Sequence, residues 1–159
     1  MAIYWFTGQP SHGKTTLAEI LVANLKWRDR RVFHIDGDNL RALTFNQDYS
    51  KQGRLDNIKG AQKIANYLHN EGYDVVVSLV SPYREQREEF KKHIGIKLIE
   101  LYVHTEQLRE RDSFKSLDYE APLENFIDVD TTLKTPTENI KDILWLIEND
   151  TLLKLLLID

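Results

Sequence analysis

The residues best suited to chemistry stand near the amino terminus, in Gly8-Gln9-Pro10-Ser11-His12-Gly13-Lys14-Thr15. Two glycines five apart, followed by Lys and a hydroxyl residue, form the phosphate-loop pattern. Gly8 and Gly13 permit torsions that turn successive amide N–H groups toward one centre. The helix start that follows adds its positive end, so loop and helix together make an anion nest. A triphosphate suits such a nest. Lys14 would place a point charge at the β- and γ-phosphates, and the Thr15 hydroxyl would be one ligand of a bridging Mg²⁺ ion. Ser11, His12 and Thr16 complete the expected contacts to ATP. The loop specifies a nucleotide and leaves open what receives a phosphate.

A loop of this kind needs a strand before it and a helix after it. Ala2 to Phe6 reads as a buried strand and Thr16 to Lys26 as a helix. Arg31 to Ile35 is the second expected strand, closed by Asp36-Gly37-Asp38-Asn39, residues that favour turns and helix starts. A polar stretch from Thr44 to Gly53 precedes a helical pattern from Arg54 to Asn70, whose Ile58, Ala61, Ile64, Ala65 and Leu68 form one apolar stripe. Tyr73 to Val80 is the third strand, Arg84 to Ile94 a charged surface helix and Lys97 to Val103 the fourth strand. A short helix from Glu106 to Arg111, an irregular stretch from Asp112 to Asn125, a fifth strand from Phe126 to Val129 and an amphipathic helix from Pro136 to Glu148 complete the order. Strands alternating with helices predict an α/β fold with a five-stranded parallel sheet covered on both faces.

In such sheets ligands bind beyond the carboxyl ends of the strands. There the sequence places Asp36 and Asp38, either of which suits a metal-bound water or the proton of an attacking hydroxyl. Helix capping is the competing use for Asp38 and Asn39. Arg41, Arg54, Arg84 and Arg87 offer guanidinium groups to an anionic acceptor, while solvated surface positions are the ordinary use of arginines on a charged helix.

The 159 residues, 42% of them hydrophobic, can bury one core, so one domain over residues 1–159 is expected. A net charge of -4 without a basic run argues against a nucleic-acid partner, and a polynucleotide kinase would need a basic groove with interleaved aromatics. With no cysteine, disulfides and thiolate metal sites are excluded. The chain runs directly into a strand without a basic region and apolar signal segment, so a cytoplasmic location is expected. The apolar stretch Leu152 to Ile158 is too short to span a bilayer.

Taken together, the phosphate loop, Asp36-Gly37-Asp38-Asn39-Leu40-Arg41, Arg54 with Asn57, Leu79-Val80-Ser81-Pro82-Tyr83-Arg84-Glu85-Gln86-Arg87, Glu110-Arg111-Asp112 and Tyr119-Glu120-Ala121-Pro122 resemble the adenylylsulfate kinase family. The resemblance covers nearly the whole chain in the right order. It implies a P-loop fold of the nucleoside-monophosphate-kinase type. It also implies transfer of the ATP γ-phosphate, with Mg²⁺, to the 3'-hydroxyl of adenosine 5'-phosphosulfate. By position it makes Asp36 and Asp38 the acidic pair at acceptor hydroxyl and metal, with Lys14 as the third catalytic group. Arg41, Arg54, Asn57, Val80, Ser81 and Pro82 become acceptor contacts, and Arg111 lies where the family holds the ATP base. A homodimer is a further possibility the resemblance carries.

Three departures qualify the resemblance. Tyr49 stands where the family places a phenylalanine that stacks on the acceptor base, and it can still stack. Gly53 replaces the acidic residue usually found before the substrate arginine. Only Ser113 to Asp118 separates Asp112 from Tyr119, where the family carries a long basic lid; Phe114 and Lys115 are the candidate stand-ins. A shortened purine clamp leaves a smaller acceptor base open, as in relatives that act on cytidine diphosphoramidate. A nucleotide-binding module without turnover is the alternative from another class.

Overall fold

The computed structural model describes residues 1–107 and 116–149. Its strands are β1 (Ile3–Thr7), β2 (Val32–Asp36), β3 (Asp74–Ser78), β4 (Leu98–His104) and β5 (Ile127–Asp130). They form one parallel sheet in the order β2-β3-β1-β4-β5. The helices are α1 (Lys14–Trp27), α2 (Gly37–Thr44), α3 (Lys51–Asn70), α4 (Arg84–Ile94) and α5 (Pro136–Asn149), with a 3₁₀ turn at Gly95–Lys97 before β4. The expected five-stranded parallel α/β sheet is therefore present.

The sheet is a middle layer because β1 has no polar face. Ala2, Tyr4 and Phe6 pack with Leu17, Leu21 and Leu25 of α1 and Ile140, Ile143 and Ile147 of α5. Ile3 and Trp5 point the other way, toward Ile58, Ala61 and Ala65 of α3 and Phe90 of α4. Burying one such aliphatic or aromatic side chain is worth about 1.5–3 kcal/mol, so the doubly buried central strand anchors both layers. Among the described residues, no helix is long and apolar enough to cross a membrane. The Leu152 to Ile158 stretch and most of the helix expected at Glu106 to Arg111 lie outside the described residues.

Two boundaries differ informatively from the sequence expectation. The long helix α3 starts at Lys51, inside the polar stretch read before it, because the Ser50 hydroxyl accepts a hydrogen bond from Gly53 N at 3.2 Å and caps it. The third strand ends at Ser78 rather than Val80. The chain then leaves the sheet through Leu79 and Val80 into a left-handed turn at Ser81, with φ of 44°. Both changes shape the loops at the carboxyl end of the sheet.

Candidate active site

The phosphate loop joins β1 to α1 beside β3, where the strand order reverses. Gly8 lies so close to β4 that an added Cβ would collide with the Val103 carbonyl, and its φ of 147° is itself a glycine conformation. Gly13 follows at φ 99° and opens α1. Ser11, Thr15 and Thr16 are exposed at the mouth, and His12 is buried beneath it. The Thr131 hydroxyl, just past β5, donates at 3.1 Å to the His12 carbonyl and steadies the loop from the side.

Lys14 is buried, with Nζ donating to the Gln9 carbonyl at 2.6 Å. Burial pulls its pKa down to about 8, against the opposing pull of Asp36 and Asp38. The lysine curls over its own loop and is short of anionic partners. An arriving phosphate would supply them.

Asp36 ends β2 and caps α2. Its Oδ1 accepts from Asp38 N at 3.0 Å and Asn39 N at 3.3 Å, and its Oδ2 accepts from Thr15 Oγ1 at 3.0 Å and Ser78 Oγ at 2.9 Å. Partial burial pushes its pKa up, yet the donors outweigh that and hold the carboxyl below the usual carboxylate range. Because Thr15 donates its only hydroxyl proton to Asp36, the free lone pairs of Oγ1 are left for a cation. The donor set is entirely oxygen, as a hard cation prefers. Among the described residues no cluster of three His, Cys, Asp or Glu side chains could hold a metal. Were Mg²⁺ to arrive with a nucleotide and keep much of its water, Thr15 would hold it directly and Asp36 through water. Asp38 is exposed, and its carboxylate takes no hydrogen bond among the described residues.

The segment from 41 to 57 supplies the opposite wall. The Arg41 guanidinium lies 4.4 Å from the Tyr49 ring centre and donates to the Asn46 and Asp48 carbonyls at 3.2 and 2.9 Å. Tyr49 is 63% exposed, with its ring open on the other face. Arg54 Nη1 donates to Ser116 Oγ at 2.7 Å and Asp118 Oδ1 at 3.1 Å. Asn57 is buried, and its Oδ1 has no hydrogen-bond partner among the described residues. An added Cβ at Gly53 would collide with the Asp48 carbonyl. The tight loop over residues 45–50 thus accounts for the glycine where an acid is usual.

Val80, Ser81 and Pro82 line the turn after β3. Ser81 is buried, its Oγ accepting from the Trp5 indole at 3.1 Å and its carbonyl from Arg87 Nη1. Arg87 fits neither use read for it, solvated surface or contact to an anionic acceptor. It is 3% exposed and paired with buried Glu100 at 2.7 Å, and Nη2 donates to the Glu120 carbonyl at 2.6 Å. Arg84 Nε is likewise spent on the Ala121 carbonyl at 2.8 Å. Arg111 and Lys115, with Glu110, Asp112 and Phe114, lie outside the described residues.

Sequence reading missed Gln9, Ser116, Ser78 and His34. The Gln9 side chain pairs with the Ser116 backbone both ways, Nε2 donating to O and Oε1 accepting from N, each at 2.9 Å. No local pattern announces a contact across 107 positions. For His34 a signal did exist, since it stands two residues before Asp36 and so on the same strand face.

A family model described as adenylylsulphate kinase matches residues 1–140. An adenylyl-sulfate kinase of Picosynechococcus is 33% identical over 159 residues, spanning 88% of this chain and 89% of the relative. The cytidine diphosphoramidate kinase of Campylobacter jejuni is 28% identical over 142 residues, spanning 87% and 83%. The Mycobacterium tuberculosis APS kinase solved with AMPPNP and APS has a TM-score of 0.80 at 22% identity, covering 93% of this chain and 98% of that one. That last likeness is one of fold.

Proposed function

The chain belongs to the adenylylsulphate kinase family, and we propose from this premise that it transfers the γ-phosphate of ATP, with Mg²⁺, to the 3'-hydroxyl of adenosine 5'-phosphosulfate. The observation that carries the reading is the junction of phosphate loop and acidic strand end, Thr15 Oγ1 on Asp36 Oδ2 at 3.0 Å, with the carboxylate of Asp38 open beside it. The triphosphate lies in the nest of residues 8–16, its β- and γ-oxygens against Lys14. Bound there, magnesium would neutralise charge on those oxygens.

Asp38 takes the proton of the acceptor hydroxyl as the bond from that oxygen to the γ-phosphorus forms and the bond from the β–γ bridging oxygen breaks, leaving ADP. Asp36 orients Thr15 and stays ionised in the step, because the hydrogen bonds it accepts hold its carboxyl below the usual carboxylate range. Tyr49 stacks on the acceptor base, which contributes on the order of 1–3 kcal/mol. Arg41, Arg54 and Asn57 meet the anionic end, and the turn at Val80, Ser81 and Pro82 floors the pocket. A single catalytic domain acting in the cytoplasm, with a homodimer as the candidate assembly, completes the reading.

Cytidine diphosphoramidate is the second acceptor, favoured by the Campylobacter jejuni relative and by the short span between Asp112 and Tyr119. Steady-state ADP production from ATP and Mg²⁺ against both compounds, with the new phosphate located in the product, decides. Turnover on the adenosine compound is the expected result; turnover on the cytidine compound alone keeps every assignment but the base. Absence of turnover on both, with ATP still bound, would favour a binding module.

A further inference from the structure

The Asp36 carboxylate is gripped by α1, α2 and the neighbouring strand β3. Asp36 and Ser78 are register partners across β2 and β3, and His34 lies two residues earlier on the same face of β2. His34 Nε2 is 2.9 Å from Ser78 Oγ, which is 2.9 Å from Asp36 Oδ2. Hydrogen counting assigns the directions. A carboxylate only accepts, so the single hydroxyl proton of Ser78 goes to Asp36, and the contact from His34 must then be an Nε2–H donated to Ser78. The chain therefore runs one way, from imidazole to hydroxyl to carboxylate, and ends on the oxygen that also takes the Thr15 proton.

We propose that His34 and Ser78 are positioning residues that lock the Asp36 carboxylate so that Thr15 keeps its oxygen turned to a nucleotide-bound cation. The proposal rests on the magnesium role given to Thr15 and Asp36 above. With Ser78 polarised by a donor behind it, Oδ2 accepts from two hydroxyls on two rigid elements, β3 and α1, while Oδ1 is fixed by amides of α2. Remove the Ser78 hydroxyl and the carboxylate gains freedom to turn about its terminal torsion. Thr15 then loses a unique rotamer. The phosphate nest itself is untouched, so nucleotide binding without metal is unaffected.

Calorimetric titration of the full chain with a non-hydrolysable ATP analogue, with and without Mg²⁺, tests this without reference to any acceptor. Ser78→Ala and His34→Phe should bind the analogue alone like wild type and lose about five- to tenfold of the gain in affinity that Mg²⁺ confers. His34→Gln, whose amide nitrogen can replace the Nε2 donor, should keep most of that gain. Imidazole ¹⁵N–¹H spectra should show a protected His34 Nε2 proton in wild type that exchanges freely in Ser78→Ala. A full Mg²⁺ gain in both Ser78→Ala and His34→Phe would overturn the positioning role alone. His34→Gln behaving like His34→Phe would overturn the donor assignment. A wild-type chain without any Mg²⁺ gain would overturn the magnesium reading and the positioning role with it.

Discussion

Lys14 and Asp38 are prepared for their proposed roles in opposite ways. Burial has already stripped Lys14 of water and lowered its pKa to about 8, so part of the cost of desolvating it is met in folding. A bound triphosphate favours the charged form and must raise that value. The sign follows: above pH 8 the free protein has lost the proton that the complex holds, so binding takes up protons and ATP affinity falls as pH rises. Calorimetry at about pH 9 in two buffers of different ionisation enthalpy should show uptake of a substantial fraction of a proton. Lys14→Ala should abolish that uptake and lower turnover by about 10²–10⁴-fold with an unchanged melting temperature. Equal heats in both buffers would count against Lys14 as the phosphate ligand. Asp38, by contrast, is exposed, and its carboxylate takes no hydrogen bond among the described residues. Asp38→Asn should cut kcat by about 10²–10⁴-fold with the Michaelis constant for ATP held; a matching rise in that constant would move Asp38 to the metal.

Helix α4 shows how an element can satisfy its sequence pattern and still surprise. Its charged composition reads as a solvated face, yet Arg87 is buried against the sheet, where it meets Glu100 of β4. The sequence reading places α4 correctly, over Arg84–Ile94, because Pro82 before it and Gly95 after it bound a charged helical stretch locally, although Arg84 N donates to Glu120 from 36 positions away. The ion pair is invisible locally, since Glu100 lies on β4, 13 positions from Arg87 and outside its helix. Arg87 also holds the Ser81 and Glu120 carbonyls, so one side chain ties the turn after β3 to the 119–122 segment. Arg87→Met should destabilise the protein by about 3–5 kcal/mol, because Glu100 is left buried with Lys91 as its remaining cation. Arg87→Met combined with Glu100→Leu should recover most of the loss. Urea unfolding midpoints read both; a double variant no better than the single one would make the backbone contacts to Ser81 and Glu120 the larger contribution.

The molecule brings the proposed donor and acceptor halves together through pieces far apart in the chain. Strand–helix alternation, the phosphate loop and the acidic strand end were legible because each is written within about twenty residues, the reach of local periodicity and turn chemistry. What joins them was not, because it depends on the sheet order β2-β3-β1-β4-β5 and on single side chains crossing it. Gln9 is the clearest instance. It belongs to the phosphate loop, yet its amide clasps the Ser116 backbone, and Ser116 and Asp118 in turn hold Arg54 on the acceptor side. A loop that binds ATP is thus mechanically continuous with an arginine proposed for the acceptor. Gln9→Ala removes two hydrogen bonds at about 1 kcal/mol each and should raise the acceptor Michaelis constant about five- to thirtyfold. The nest of residues 8–16 keeps its backbone, so the ATP constant should move by less than the acceptor constant. Initial-rate measurements over a grid of both substrates give the two constants separately. A change confined to ATP would show that the two halves bind independently and that the 116–118 segment only packs against the loop.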